Sequence, residues 1–196
     1  MFANIQNCFA FRSTDAIRIQ LFTCGKELVG VKKPWKMQQE ILRRHVSEAL
    51  SANFGREQRV DLVLCCTDAW SYDPGYSKHL CGHWGEHPGI MRDQLASRSF
   101  VDNLDMIKKL DPDTVSDDST FYIVLVCNKG RHRSVAQAKM LSYVLKSENF
   151  CVEETEHLQR QISWDCLCTT CDACGPRAAI ARSHVRQEVL DIYASL

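Results

Sequence analysis

The stretch FYIVLVCNKGRHRSV, residues 121–135, constrains the fold more than any other part of the chain. Its first six residues are apolar without a break, which suits a strand buried on both faces. Val135, Ala138, Leu141 and Leu145 then recur at helical spacing, so a helix with one apolar stripe follows at once. The same unit repeats along the sequence. Residues 16–22 alternate as a strand, and a helical pattern starting near Met37 sets Leu42, Val46, Ala49 and Leu50 on one face. Residues 59–66 read as a second strand, residues 67–89 as a long polar loop, and residues 90–110 as a helical region. A short fourth strand is expected over residues 150–154, before a last helix striped by Ala181, Val185, Val189, Ile192 and Leu196. The expectation is a single three-layer α/β domain over residues 1–196 with a mainly parallel sheet of about four strands. Ligands of such sheets bind beyond the carboxyl ends of the strands.

Composition narrows the function classes. Twenty-four Lys and Arg balance 24 Asp and Glu, so there is no broad electrostatic footprint for nucleic acid or membrane and any anion site must be local. No run approaches the roughly 18 apolar residues of a membrane span, and the opening residues lack a charged stretch followed by an apolar one. A cytoplasmic protein with no membrane partner is expected. The pattern fixes no oligomeric state.

The loop after the third strand carries the chemistry. Five residues separate Cys127 from Arg133, with Ser134 next, the spacing used by cysteine-dependent phosphatases. Five residues wrapped around a phosphate turn backbone N–H groups inward, the helix start adds its positive dipole end, and the arginine fork offers paired donors. Cys127, Asn128, Lys129, Gly130, Arg131, His132, Arg133 and Ser134 are the expected phosphate-binding residues. Ser134 and Gln137 have the spacing of a helix-capping box, and Gly130 lets the backbone turn. The cationic surroundings favour the Cys127 thiolate. Catalysis would give Cys127 the role of nucleophile and Arg133 that of transition-state clamp, with Asp68 or Asp73 as general acid. Asp68, Asp73 and His83, on the loop leaving the second strand, are expected to form the pocket's second wall.

On these residues the chain resembles the carboxyl-terminal domain family of the RNase adaptor protein RapZ. That family's loop reads Cys, two mostly small residues, Gly, a polar or basic residue, then His-Arg-Ser-Val. Cys127, Gly130, Arg131, His132, Arg133, Ser134 and Val135 match it. The resemblance runs over roughly residues 16–158, with Asp73-Pro74 where the family has Asn-Pro and Leu80-Cys81-Gly82 where it has Leu-Thr-Gly. It implies an α/β domain that binds phosphorylated ligands, amino-sugar phosphate and RNA being the kinds associated with the family, in a regulatory or adaptor role. The family's Asp-x-Arg after the second strand has no counterpart in Thr67-Asp68-Ala69.

Four of the 11 cysteines fall in nine residues: Cys166, Cys168, Cys171 and Cys174, closed by Gly175-Pro176. Thiolates this dense repel unless a cation holds them, and Cys-x2-Cys suits tetrahedral zinc. A structural zinc loop is therefore expected over residues 157–176, with His157 or His184 as substitute ligand for one cysteine. His79, Cys81, His83 and His87 form a second set with ligand chemistry, read as a polar pocket wall. The reading overall is a binder of a sugar phosphate, nucleotide or RNA phosphate. Two others stand beside it: a cysteine-dependent phosphatase, and a zinc-stabilised interaction module whose basic turn is incidental.

Overall fold

The computed structural model describes residues 17–55, 57, 59–67, 80–110, 120–159, 168 and 171–196. The described strands form one five-stranded parallel sheet: β1 (Arg18–Gly25), β2 (Leu62–Cys65), β3 (Phe121–Cys127), β4 (Cys151–Val152) and β5 (Glu156–His157). The order across it is β2, β3, β1, then β4 and β5. The last two pair with successive positions of β1, Arg18 with Cys151 and Phe22 with Glu156, and so behave as one interrupted edge strand. The fourth strand expected over residues 150–154 is β4, and β5 extends the same edge beyond the expected range.

Strand alternation divides the core. Ile19, Leu21, Leu64, Ile123, Leu125 and Cys127 face one side, and Phe22, Cys24, Val63, Val124 and Val126 face the other. Helix α1 (Gln39–Phe54) covers the second side with Leu42, Val46 and Leu50, and stops at Gly55, whose φ of 66° suits a glycine C-cap. Helices α2 (Pro88–Leu95), α3 (Arg98–Lys108), α4 (Arg133–Ser147) and α5 (Ala179–Ser195) cover the first side. His87 caps α2 by accepting from Gly89 N at 3.0 Å, and Ser97 caps α3 by accepting from Phe100 N at 3.3 Å. α4 lies between α2, α5 and the sheet, and its Leu141, Val144 and Leu145 are fully buried. Truncating one of these to alanine costs about 2–5 kcal/mol.

Chain direction makes the site. Neighbouring strands β1 and β3 send their following helices, α1 and α4, to opposite faces, so a crevice opens between their carboxyl ends. Gly25 and Cys127 are register partners at the lip of that crevice. Among the described residues no helix is long and apolar enough to cross a membrane.

Candidate functional site

Residues 128–132 turn the chain from β3 into α4. Gly130 holds φ at 68°, a left-handed conformation that glycine adopts without steric cost, and this folds the loop back over the strand end. As a result the Gly130 N–H donates to Cys127 Sγ at 3.1 Å, and the Ser134 hydroxyl meets the same sulfur at 3.2 Å. Cys127 is 3% exposed and Arg133 2% exposed, so both are held inside rather than spread over the surface. The Arg133 guanidinium lies close enough to the Cys66 thiol to favour its ionisation, although burial and the charges of Cys127, Cys65 and Cys24 push that thiol well up.

The turn is framed tightly. Lys26 N donates to the Cys127 carbonyl at 2.7 Å, Gly25 N donates to the Gln159 side-chain oxygen, and Gly85 N donates to the Arg131 carbonyl at 3.0 Å. A Cβ on Gly25 would stand 2.9 Å from the carbonyl carbon of Lys129 and 3.0 Å from Gly130 N, so the two loops approach too closely for any side chain there. Lys129 reaches sideways to Glu27 at 2.5 Å, and this hydrogen bond and charge hold the Glu27 carboxyl below its usual range. Lys129 thus sits on the rim rather than inside the loop. Asn128 and Arg131 are half-buried and His132 is buried, and the Arg131 Nε is a buried donor without a hydrogen-bond partner.

The capping box is not formed. His132 is the N-cap of α4 and makes no side-chain cap bond, while Ser134 already lies inside the helix with its hydroxyl on Cys127. Gln137 is drawn elsewhere: its amide meets Asn103 at 2.8 Å, Gln94 at 3.1 Å and Ser99 at 3.3 Å. Asn103 also donates to the Cys65 carbonyl at 3.2 Å, so a buried polar network joins the first turn of α4 to α2, α3 and the end of β2. Asp68 and Asp73, expected on the second wall, lie outside the described residues.

A second cluster lies on the other side of the loop. Cys168, Cys171, Cys174 and His83 bring their ligand atoms within 4.8 Å of one another and could hold a metal ion. His83 Nδ1 is 3.1 Å from Cys174 Sγ and 3.6 Å from Cys171 Sγ. A tetrahedral ion with bonds of about 2.3 Å needs its ligands roughly 3.7 Å apart. The backbone holds the set in place: His83 pairs with Cys168 as a short parallel bridge, Cys168 N donates to the Gly82 carbonyl at 2.7 Å, and Cys171 N donates to Cys168 Sγ at 3.3 Å. Burial, followed by its hydrogen bond to Cys171 and the nearby thiols, raises the Cys174 thiol to about 12. A cation reverses that balance by stabilising thiolate.

This corrects the ligand assignment. His83, expected on the pocket's second wall, turns to the cysteines instead. His157, expected as a substitute ligand, has its Nδ1 2.8 Å from the Thr23 hydroxyl, and His184 is exposed on α5. Cys166 and His79 lie outside the described residues, Cys81 is exposed, and His87 caps α2 with its ring 4.5 Å from that of His83. Trp84 packs on Val135 and meets the His157 ring edge-on, with centroids 6.0 Å apart. The role of His83 was visible only as one histidine in a set of four candidate ligands, because local spacing cannot tell which will meet a distant cysteine loop.

The two clusters touch through two residues of chain. Gly85 follows His83 closely and lies against the start of α4, where a Cβ would fall 2.5 Å from Val135 Cβ and 2.7 Å from Ala136 N. Arg182 of α5 donates to the carbonyls of Cys174, at 2.7 Å, and Glu86, at 3.2 Å, while Glu86 pairs with Lys139 of α4 at 3.4 Å. The segment bearing His83 is therefore clamped between the cysteine loop, α5 and the turn after β3. In comparisons with known proteins, no family model, curated protein or solved structure matches the chain.

Proposed function

We propose that this is a cytoplasmic binding domain for a phosphorylated ligand, in a regulatory or adaptor role like that implied by the RapZ carboxyl-terminal domain. The residues assigned to the phosphoryl group are Cys127 to Ser134, with Arg133 as the clamp. One observation carries this reading: at the crevice between β1 and β3 the turn folds inward, with Gly130 N and the Ser134 hydroxyl converging on one point and Arg133 buried beside it. Donors gathered at an uncapped helix start, beyond the carboxyl ends of parallel strands, form the arrangement that tetrahedral anions take. A sugar phosphate, a nucleotide and an RNA phosphate share that group.

The metal is proposed to be zinc, held by His83, Cys168, Cys171 and Cys174, since three thiolates and one imidazole form a closed structural set. Its role is to fix the His83–Gly85 turn against α4 and so support the wall of the anion loop.

A second reading has its own observation. Cys127 Sγ accepts from the Gly130 N–H at 3.1 Å and lies 3.2 Å from the Ser134 hydroxyl, with Arg133 on the same turn, the residue set that a cysteine phosphatase uses. A thermal-shift screen of phosphorylated metabolites on the metal-loaded protein separates the readings. Binding that survives Cys127→Ser and is lost in Arg133→Lys supports the binder. Turnover of an aryl phosphate that vanishes in Cys127→Ser supports the phosphatase. Indifference to every phosphorylated compound, together with collapse on chelation, leaves the interaction module.

A further inference from the structure

We propose that Cys66 and Cys127 form a peroxide-sensitive dithiol, whose sulfurs join in a reversible disulfide beneath the anion loop. The register brings them together. Leu64 pairs with Leu125 and Cys65 with Val126 in the parallel ladder, and the bond from Cys66 N to the Val126 carbonyl at 2.8 Å continues it, so Cys66 stands beside Cys127. Both side chains belong to the core on the α4 side of the sheet, whereas Cys24 and Cys65 belong to the α1 side. Neighbouring strands lie about 4.8 Å apart. That falls within the roughly 4.4–6.8 Å between Cα atoms that a disulfide spans. Cys24 and Cys65 have β3 between them, a gap of about 10 Å that a disulfide does not bridge. Among the described residues the group with metal-ligand geometry is the one around His83, and these strand-end thiols are not part of it.

The two sulfurs differ in chemistry. Cys127 Sγ accepts from the Gly130 N–H at 3.1 Å and lies 3.2 Å from the Ser134 hydroxyl, so it sits at the turn that leads out of the sheet. Cys66 is fully buried, and burial holds it as the neutral thiol. Cys127 is 3% exposed, so the oxidation requires that hydrogen peroxide, an oxidant of about the size of water, reach it at the base of the loop. The Cys127 sulfur attacks one peroxide oxygen, the O–O bond breaks, and the departing hydroxide takes a proton to become water, leaving a sulfenic acid on Cys127. Cys66 Sγ then attacks Cys127 Sγ. The S–S bond forms as the S–O bond breaks, and the leaving hydroxide takes the Cys66 proton as a second water. Two thiols are oxidised by two electrons and one peroxide is reduced to two waters. Directly facing positions of a parallel ladder make a strained link, and strained disulfides are readily reduced, so a dithiol reductant restores the pair. The linkage also draws Cys127 Sγ toward β2 and away from Gly130 and Ser134, which ties the loop's shape to the state of the pair.

The test is mapping of disulfides in the zinc-loaded full chain after brief exposure to hydrogen peroxide, alkylation and non-reducing digestion. The expected product is a peptide pair lacking two hydrogens, with fragmentation placing the bond at Cys66 rather than Cys65, and its loss on adding a dithiol. In Cys66→Ala, Cys127 should pass on to the sulfinic acid instead. The wild-type map needs no variant to fold: if Cys127 proceeds directly to sulfinic acid with Cys66 still alkylatable, or neither is oxidised while exposed Cys81 is, the proposal fails. Inorganic phosphate binding to the reduced protein is read separately and stands or falls on its own.

Discussion

The turn after β3, proposed to bind the anion, and the Cys/His cluster lie on either side of the same short segment, yet they are made in opposite ways. The loop is contiguous: strand end, left-handed glycine, arginine and helix start all fall within residues 127–134, and local backbone rules close it. The cluster is assembled across the fold, with His83 lying 88 and 91 residues from Cys171 and Cys174. One is pre-shaped by its own sequence, and the other depends on α5 and the cysteine loop docking on α2 and α4. The difference teaches which site is the more fragile. A contiguous nest survives small shifts of its neighbours, while a long-range ligand set forms only when the whole helical layer is in place.

Metal removal is the strongest way to break the comparison. Because bound metal stabilises only the folded chain, chelation should lower stability by about 4 kcal/mol or more, roughly 8–16 °C in Tm. Calorimetry with and without chelator reads this. Retention of phosphate affinity in any apo protein that stays folded would show that the loop does not depend on the cluster.

Arg133→Lys comes next in size. It keeps the charge but loses the planar fork, so phosphate affinity should fall about 10- to 100-fold, the worth of a charge-assisted bond of about 1.5–3 kcal/mol. Denaturant melts should show the metal cluster intact. Gly85→Ala tests the joint instead. Its Cβ meets backbone at Ala136 N, a costly overlap of about 1–3 kcal/mol, and it should weaken both zinc retention and phosphate binding.

The smallest effect is alkaline. Burial raises the Cys65 thiol from 9.0 to about 11. An acid whose folded value lies above its unfolded value leaves stability intact below pH 9. As pH climbs toward 11 the unfolded chain ionises first, and stability falls by about 1 kcal/mol once partial exposure is discounted. A pH series of urea melts on wild type and Cys65→Ser measures it. The loss should persist with zinc bound, because it belongs to the strand ends and not to the cluster.

These contrasts also explain what was legible in the sequence. The unbroken apolar run at residues 121–126 and helical spacing from Val135 set the parallel sheet and α4 because both patterns are local. Cys166, Cys168, Cys171 and Cys174 marked a candidate metal loop for the same reason, and the last three come together with His83. The fourth member did not show itself, because the meeting of His83 with the cysteines is decided by tertiary packing of Gly82 against Cys168. Gln137 misled similarly. Its spacing from Ser134 fits a cap, but Asn103, Gln94 and Ser99 offer the amide better partners inside the helical layer. Tertiary hydrogen bonds overrode a local rule.

The central claim is that the turn after β3 is a cup for a phosphoryl group. Isothermal titration of inorganic phosphate into the reduced, zinc-loaded chain tests it most directly, beside Arg133→Lys and Gly130→Ala. The account predicts one saturable site in the wild type, weakened at least about tenfold by either substitution. No saturable heat in the wild type, or equal affinity in all three proteins, would contradict it.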